Sequence, residues 1–331
     1  MLRRLTSSIL ALGVVAGAMP LCAQTYELRI ATGNNRPHPA IAMADFMKEE
    51  IERRTEGDVA VTVYTLGQLG SQLDMIQNTA LGVIDMVVQI TTNAASIVPD
   101  FQIFNFAYLI TTPEEFEALI DPEGSLFAHF EAQVEEKLNS RLFTFSSGGY
   151  RILANSVREA TLPEHLEGIK MRGSAPMVQR QWGEFGMLLF PVDFGEQYSA
   201  LQSGLIEATE NSISATYGNR IPEQAPFISL TMHEIMPTFV MASEIAMARL
   251  PQAYQDIIAE AAQASGAVGM AAAAELDAQM LEQLRALPGV TISEVDTDAF
   301  AGRLVPLHDE LAADMGLTDL LATVREALQA N

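Results

Sequence analysis

Arg172 closes a short strand-like run, Ile169-Lys170-Met171, and is followed by Gly173-Ser174, where a helical pattern begins. A guanidinium at such a strand end can hold a carboxylate through two parallel N–H bonds. The helix N-terminus beside it adds backbone donors. Positive charge is scarce here: 19 Lys and Arg stand against 42 Asp and Glu, a formal net charge of −23. Yet Arg151, Arg158, Lys170, Arg172 and Arg180 crowd into residues 151–180, opposed only by Glu159, Glu164 and Glu167. That local excess marks the segment as a candidate anion site. The same Arg172 could instead pair with an internal Glu or with carbonyls at a helix C-terminus.

Motifs of enzyme chemistry are missing from the sequence. There is no GxSxG, GxxxxGK[ST], HExxH, CxxC or GxGxxG. Cys22 is the single cysteine, so neither a disulfide framework nor a Cys-rich metal site can form. The five His (38, 129, 165, 233, 308) lack metal-ligand spacing, and no metal or cofactor is expected. His129 and His308 lie in acidic helical patterns and read as solvated surface. Glu294, Asp296 and Asp298 lack the Gly and closing Glu of a calcium loop and read as a turn and helix start. Trp182 reads as core. These absences leave room only for an enzyme built on scattered residues.

The elements that would position Arg172 alternate. Strands are expected at Leu28–Thr32, Val59–Thr65, Ile84–Ile90, Leu142–Ser146, Ile169–Arg172, Leu188–Val192, Ile206–Glu210, Pro237–Ser243 and Val290–Val295. Helices are expected near 38–54, 71–81, 113–120, 123–139, 174–186, 194–203, 213–220, 251–286, 297–315 and 318–329. The order argues an α/β protein with mixed or parallel sheets. Thr112-Pro113-Glu114-Glu115 offers a capping box with Pro at the first helical position. Asp193 can cap a helix from Phe194. From Pro251 to Leu287 no Pro intervenes before Pro288-Gly289. At about 1.5 Å per residue such a helix reaches on the order of 55 Å. It must run along two lobes, bend near Ser265-Gly266 and Gly269, or break into two helices at Gly266.

Composition sets the wider limits. With 331 residues, 49% hydrophobic and 18% charged, the chain is a folded protein of about two domains. Its acidity argues against nucleic acid as a partner, because phosphate demands a basic face. It favours a soluble monomer that avoids anionic membranes. Residues 1–23 read as a secretory signal peptide, with Arg3 and Arg4, an apolar run from Ile9 to Met19, and cleavage after Ala23. Cys22, preceded by Met19-Pro20-Leu21, is a poor lipoprotein site, so it is expected to leave with the signal. Past it, no stretch of 18 consecutive apolar residues suggests a membrane span.

Several runs, in order, resemble one family. Leu162–Arg172 is similar to "L-x-D-L-K-G-L-K-I-R", Pro191–Gly204 to "P-M-P-F-S-E-V-Y-T-A-L-Q-x-G", and Ile206–Asn211 to "V-D-G-Q-E-N". Gly67–Gly70 and Leu81–Met86 match "G-x-L-G … L-G-x-I-D-M". Together they resemble the DctP-type solute receptors of tripartite ATP-independent periplasmic (TRAP) transporters. The resemblance implies a two-lobed periplasmic binding protein fold, a cleft between lobes, and a long helix bridging both. It places lobe one at 24–148 and 237–275 and lobe two at 149–236 and 276–331.

The resemblance also implies roles. Arg172 anchors a ligand carboxylate, with Asn211 and Arg151 completing the donors and Phe194 forming an apolar wall. Asn34, and Gln89 or Thr91, would reach in from the other lobe. Asn211 could instead cap the helix after it, and Phe194 could be core. The implied function is a periplasmic receptor, not an enzyme, that delivers a small organic acid to a two-subunit, ion-driven permease. Alternatives are a receptor for an ATP-driven importer or a sensor, or a periplasmic enzyme acting on an organic acid. Gln72, where many members carry an acid, Glu207, Thr209 and Phe106–Leu109 depart from the family pattern. The acid itself stays open: a dicarboxylate, a sugar acid, an aromatic or keto acid, or a zwitterion.

Overall fold

The computed structural model describes residues 26–173 and 175–330. The signal-peptide reading, Cys22 and Ser174 lie outside the described residues.

Ten strands form the scaffold among the described residues: β1 (Tyr26–Ala31), β2 (Val59–Tyr64), β3 (Met86–Ile90), β4 (Ser140–Asn155), β5 (Lys170–Arg172), β6 (Leu188–Phe190), β7 (Ala208–Ser212), β8 (Phe227–Leu230), β9 (Ile235–Ser243) and β10 (Thr291–Glu294). They run in the order β2-β1-β3-β9-β4-β7-β5-β6, with β8 joined to β4 and β10. On one side, β1 is parallel to β2 and β3, and β9 is antiparallel to β3 and β4. On the other, β7 and β8 run antiparallel to β4, while β5 lies parallel to β6 and β7. This is the mixed α/β, two-lobed arrangement expected.

β4 belongs to both groups. Residues 140–150 pair with β9, and residues 151–155 pair with β7. The strand expected at Leu142–Ser146 is in fact 16 residues long and runs through Gly148-Gly149, a pair that ordinarily weakens a strand. The structure absorbs the glycines in a bulge between Ser147 and Tyr150. Gly149 takes φ +92°, and a Cβ there would stand 2.6 Å from Asp277 Oδ1. Asp277 Oδ2 accepts from the Tyr150 N–H at 2.9 Å. β8 was not expected at all; it is a four-residue strand just past Pro226.

Local chemistry explains the helix starts near the cleft. α1 (Pro39–Arg54) begins where His38 Nδ1 accepts from the Ala40 N–H at 3.1 Å. Its buried stripe includes Met43, Met47 and Ile51. α2 (Gln72–Ala80) begins at a reciprocal capping box between Ser71 and Asp74. The Thr112–Glu115 box opens the helix Pro113–Leu119 as expected. Asp193 stands at the N-cap of a short 3₁₀ turn, but its side chain makes no cap hydrogen bond. Asp296 does cap, accepting from Ala299 N–H at 3.0 Å.

The long helix, Gln252–Ala286, is continuous over 35 residues. Its glycines do not break it. They let it approach β4: a Cβ on Gly266 would stand 2.4 Å from Thr144 Oγ1, and one on Gly269 2.2 Å from Ser146 Oγ. Ile258, Ala261 and Ala262 pack in one core with Met43 and Met47, whereas Met280 and Leu284 pack in another with Ile152 and Ile228. The helix thus runs along both groups of strands. Its length and a mean hydropathy of 1.3 over 18 residues would suit a membrane span. Its Ala and Gly face is instead packed on β4 and α1.

Packing decides the surroundings of the chain's last helices and of His308. Within the 276–331 stretch expected in lobe two, Leu311, Leu317, Leu321 and Val324 join the core of Phe104, Phe116 and Phe130. The apolar stripe of the last helices is buried against that core. His308 is not solvated: it is 1% exposed, edge-on to Phe106, with Nε2 3.0 Å from the Ala107 carbonyl. His129 is exposed and pairs with Asp100, as its acidic surroundings suggested.

Candidate functional site

A cleft of about 650 Å³ lies between the two groups of strands. One wall comes from loops after β1 and β2, from α2, and from α3 (Thr91–Ala94) and the turn beyond it; it presents Gln72, Thr92, Asn93, Ser96 and Gln102. The other wall presents Arg172, Pro176, Val192, Asp193, Phe194 and Glu196. Arg172 is the one cation among these lining residues.

β5 ends at Arg172, and the Phe190–Val192 segment runs beside it. Arg172 Nε donates to the Val192 carbonyl at 2.9 Å, and the guanidinium carbon lies 5.9 Å from the centre of the Phe194 ring. The residue is 7% exposed. Among the described residues no carboxylate forms an ion pair with it. Burial, reinforced by Arg151, brings its pKa down to about 10, against the pull of Glu210 and Asp193. It therefore stays charged at neutral pH, and a desolvated, unpaired cation calls for an anion.

The other four cations of the 151–180 window are already used. Arg158 donates to the His165 and Glu167 carbonyls at 2.7 and 2.8 Å. Lys170 lies 3.5 Å from Glu207. Arg180 reaches Glu310 and Asp314 at 3.1 and 2.9 Å. Arg151 is buried and does not line the cleft: its Nε bonds Glu210 Oε2 and stands 3.9 Å from Glu234. The local excess of charge resolves into three ion-paired cations, one bound to backbone carbonyls, and Arg172, which has no carboxylate partner among the described residues.

Behind Arg172 the buried groups nearly cancel. Arg151 and Glu210 neutralise each other: burial opposes both charges, but each holds the other ionised, with the Glu210 carboxyl kept well below the usual range. Burial pushes Glu234 up to about 8, so it is largely protonated at pH 7. Burial also lowers His233, 3.4 Å from Glu210, which leaves it neutral. What remains is the single positive charge of Arg172.

Of the residues singled out from sequence, Arg172 and Phe194 line the cleft. The others lie behind it. Asn211 is 6% exposed, with Oδ1 accepting from the Ser212 N–H at 2.9 Å; Ser212, not Asn211, caps the helix Ile213–Gly218. Asn34 bonds Thr32 Oγ1 at 3.0 Å. Gln89 and Thr91 are buried, while Thr92 and Asn93, one and two residues past Thr91, face the cleft. Gln89 supports the wall indirectly, since its Oε1 accepts from Asn93 Nδ2 at 3.3 Å. Trp182 is core, as expected, with its ring edge-on to His233. Sequence reasoning missed Asn93 and Gln102 as wall residues. It noted Gln72 only as a departure from the family pattern, although the Ser71–Asp74 box next to it marks a helix start.

Residues 30–314 match the family model DctP, bacterial extracellular solute-binding protein, family 7. The chain belongs to this family. A solute-binding protein of Verminephrobacter eiseniae is 26% identical over 88% of this chain and 86% of its own. A TRAP periplasmic solute-binding protein of Sulfitobacter sp. NAS-14.1, solved with β-D-galacturonate, superposes with a TM-score of 0.84 at 25% identity, over 91% of this chain and 99% of that one. One from Anaerococcus prevotii, solved with D-glucuronate, gives 0.84 at 26% identity, over 92% and 97%. The family is periplasmic and its members are solute receptors of TRAP transporters.

Proposed function

We propose that this chain is a TRAP receptor for a small organic acid, held through its carboxylate by Arg172. The supporting observation is that Arg172 is a buried, charged guanidinium lining the interlobe cleft without an ion-pair partner among the described residues. The carboxylate ligands of the solved relatives support the same reading. Phe194 supports the guanidinium face, Asn211 lends its Nδ2 donors, and Arg151 acts at one remove by balancing Glu210. Asn34, Gln89 and Thr91 brace the opposite wall.

In this reading the acid enters the open cleft and pairs with Arg172. Contacts from the second wall then favour a closed form, to the extent that the ligand binds that form better. The hinge lies where β4 passes its bulge and where the long helix crosses from one core to the other. The closed monomer docks on a two-subunit permease and does no chemistry on its cargo. Residues 1–23 direct export and are removed. Native mass spectrometry of the protein as purified tests this. The expected species is a one-to-one complex with an organic acid that is recovered unchanged. A neutral or cationic ligand, or a chemically altered acid, overturns it.

A further inference from the structure

The wall facing Arg172 carries three neutral amides, Gln72, Asn93 and Gln102, beside the hydroxyls of Thr92 and Ser96 and the apolar Leu66 and Leu73. Asn93 Nδ2 donates to the Oε1 atoms of Gln72 and, at 3.3 Å, of Gln89. This relay fixes the Asn93 amide from behind. It leaves Asn93 Oδ1 and Gln72 Nε2 without a hydrogen bond among the described residues, both on residues that line the cleft. Gln102 Oε1 is buried, on a lining residue, and also lacks a partner. The unpaired set is therefore mixed, with a donor on Gln72 and acceptors on Asn93 and Gln102.

That mixture selects a ligand chemistry. A second carboxylate is an acceptor only and carries charge. It would find no second cation among the lining residues, and it would meet Asp193 and Glu196. A plain alkyl chain would strand the amides without partners, which is costly in a closing cleft. Hydroxyl groups donate and accept at once and satisfy all three. The volume, about 650 Å³, is ample for a chain or ring of several carbons. Resting on the reading above, in which Arg172 takes the carboxylate, we infer that the ligand is a polyhydroxylated monocarboxylate whose hydroxyls are read by Gln72, Asn93 and Gln102. Gln89 acts as a positioning residue for Asn93.

Titration calorimetry on the ligand-depleted protein tests this with four probe classes: hexuronates, hexonates, succinate and hexanoate. The best hydroxylated acid is expected to bind at least about tenfold tighter than succinate or hexanoate, the worth of one or two net hydrogen bonds. Asn93→Leu should weaken that acid by about tenfold while leaving hexanoate unchanged or improved. Gln72→Met, at a half-exposed position, repeats the test if Asn93→Leu fails to fold. Succinate or hexanoate binding as tightly as the best hydroxylated acid, and still requiring Arg172, overturns this inference and leaves the carboxylate reading intact. Failure of every acid, with Arg172 present, overturns both.

Discussion

Arg151 and Glu210 face each other on the neighbouring strands β4 and β7, 3% and 1% exposed, with Nε of one on Oε2 of the other. Glu210 is thus paired with Arg151 and forms no ion pair with Arg172. Glu210→Gln leaves Arg151 with Glu234, 3.9 Å away, as its one remaining carboxyl neighbour among the described residues. Breaking a buried pair by removing one partner typically costs about 3–5 kcal/mol. Denaturant unfolding at pH 6 should show a loss of that order; a loss below about 1 kcal/mol would mean the pair is not structurally significant.

Asp277 makes stability depend on pH. Burial raises its pKa to about 7, against the lowering effect of the Tyr150 N–H. The folded protein therefore holds this proton more tightly than the unfolded chain. Its contribution is complete below the unfolded carboxylate pKa and is lost as pH rises through about 7. Asp277→Asn keeps an acceptor for Tyr150 and removes the titration. Its melting temperature should exceed that of the parent at pH 8 and match it at pH 4. An equal difference at both pH values would contradict this.

Gly269 shows why a helix-weakening residue stands in a 35-residue helix. Its absent Cβ makes room for Ser146 Oγ and for Met43 Sδ, 2.2 and 2.6 Å from where that Cβ would lie. Gly269→Ala gains helix propensity but overpacks the junction with β4. Overpacking of this kind costs about 1–3 kcal/mol, which chemical denaturation would detect. A stabilised variant would show that the contact yields freely.

Arg172 was legible because cations are rare in this chain and because a strand followed by a helix start gave it a place. Repeating Pro, Gly and capping signals located most elements, such as the Thr112–Glu115 box. Gln72, Asn93 and Gln102 carried no such mark. Neutral amides in polar loops look alike in sequence, and only the fold brings them opposite Arg172, some 70 to 100 positions away. The reach of β4 was hidden because Gly148-Gly149 signals a break, whereas the bulge and Asp277 accommodate it. The packing of the last helices on the core of Phe104, Phe116 and Phe130 was hidden as well. An amphipathic stripe shows that a helix will be buried, not against which core.

The carboxylate anchor is tested most directly by calorimetry on Arg172→Lys, using the acid that copurifies with the parent protein. Lysine keeps the charge but not the planar two-point fork. Losing one charge-assisted hydrogen bond to the ligand carboxylate costs on the order of 1.5–3 kcal/mol, so affinity should fall by at least about tenfold while the fold, read by circular dichroism, is unchanged. Affinity within a factor of about three of the parent would contradict the assignment of Arg172 as the anchor.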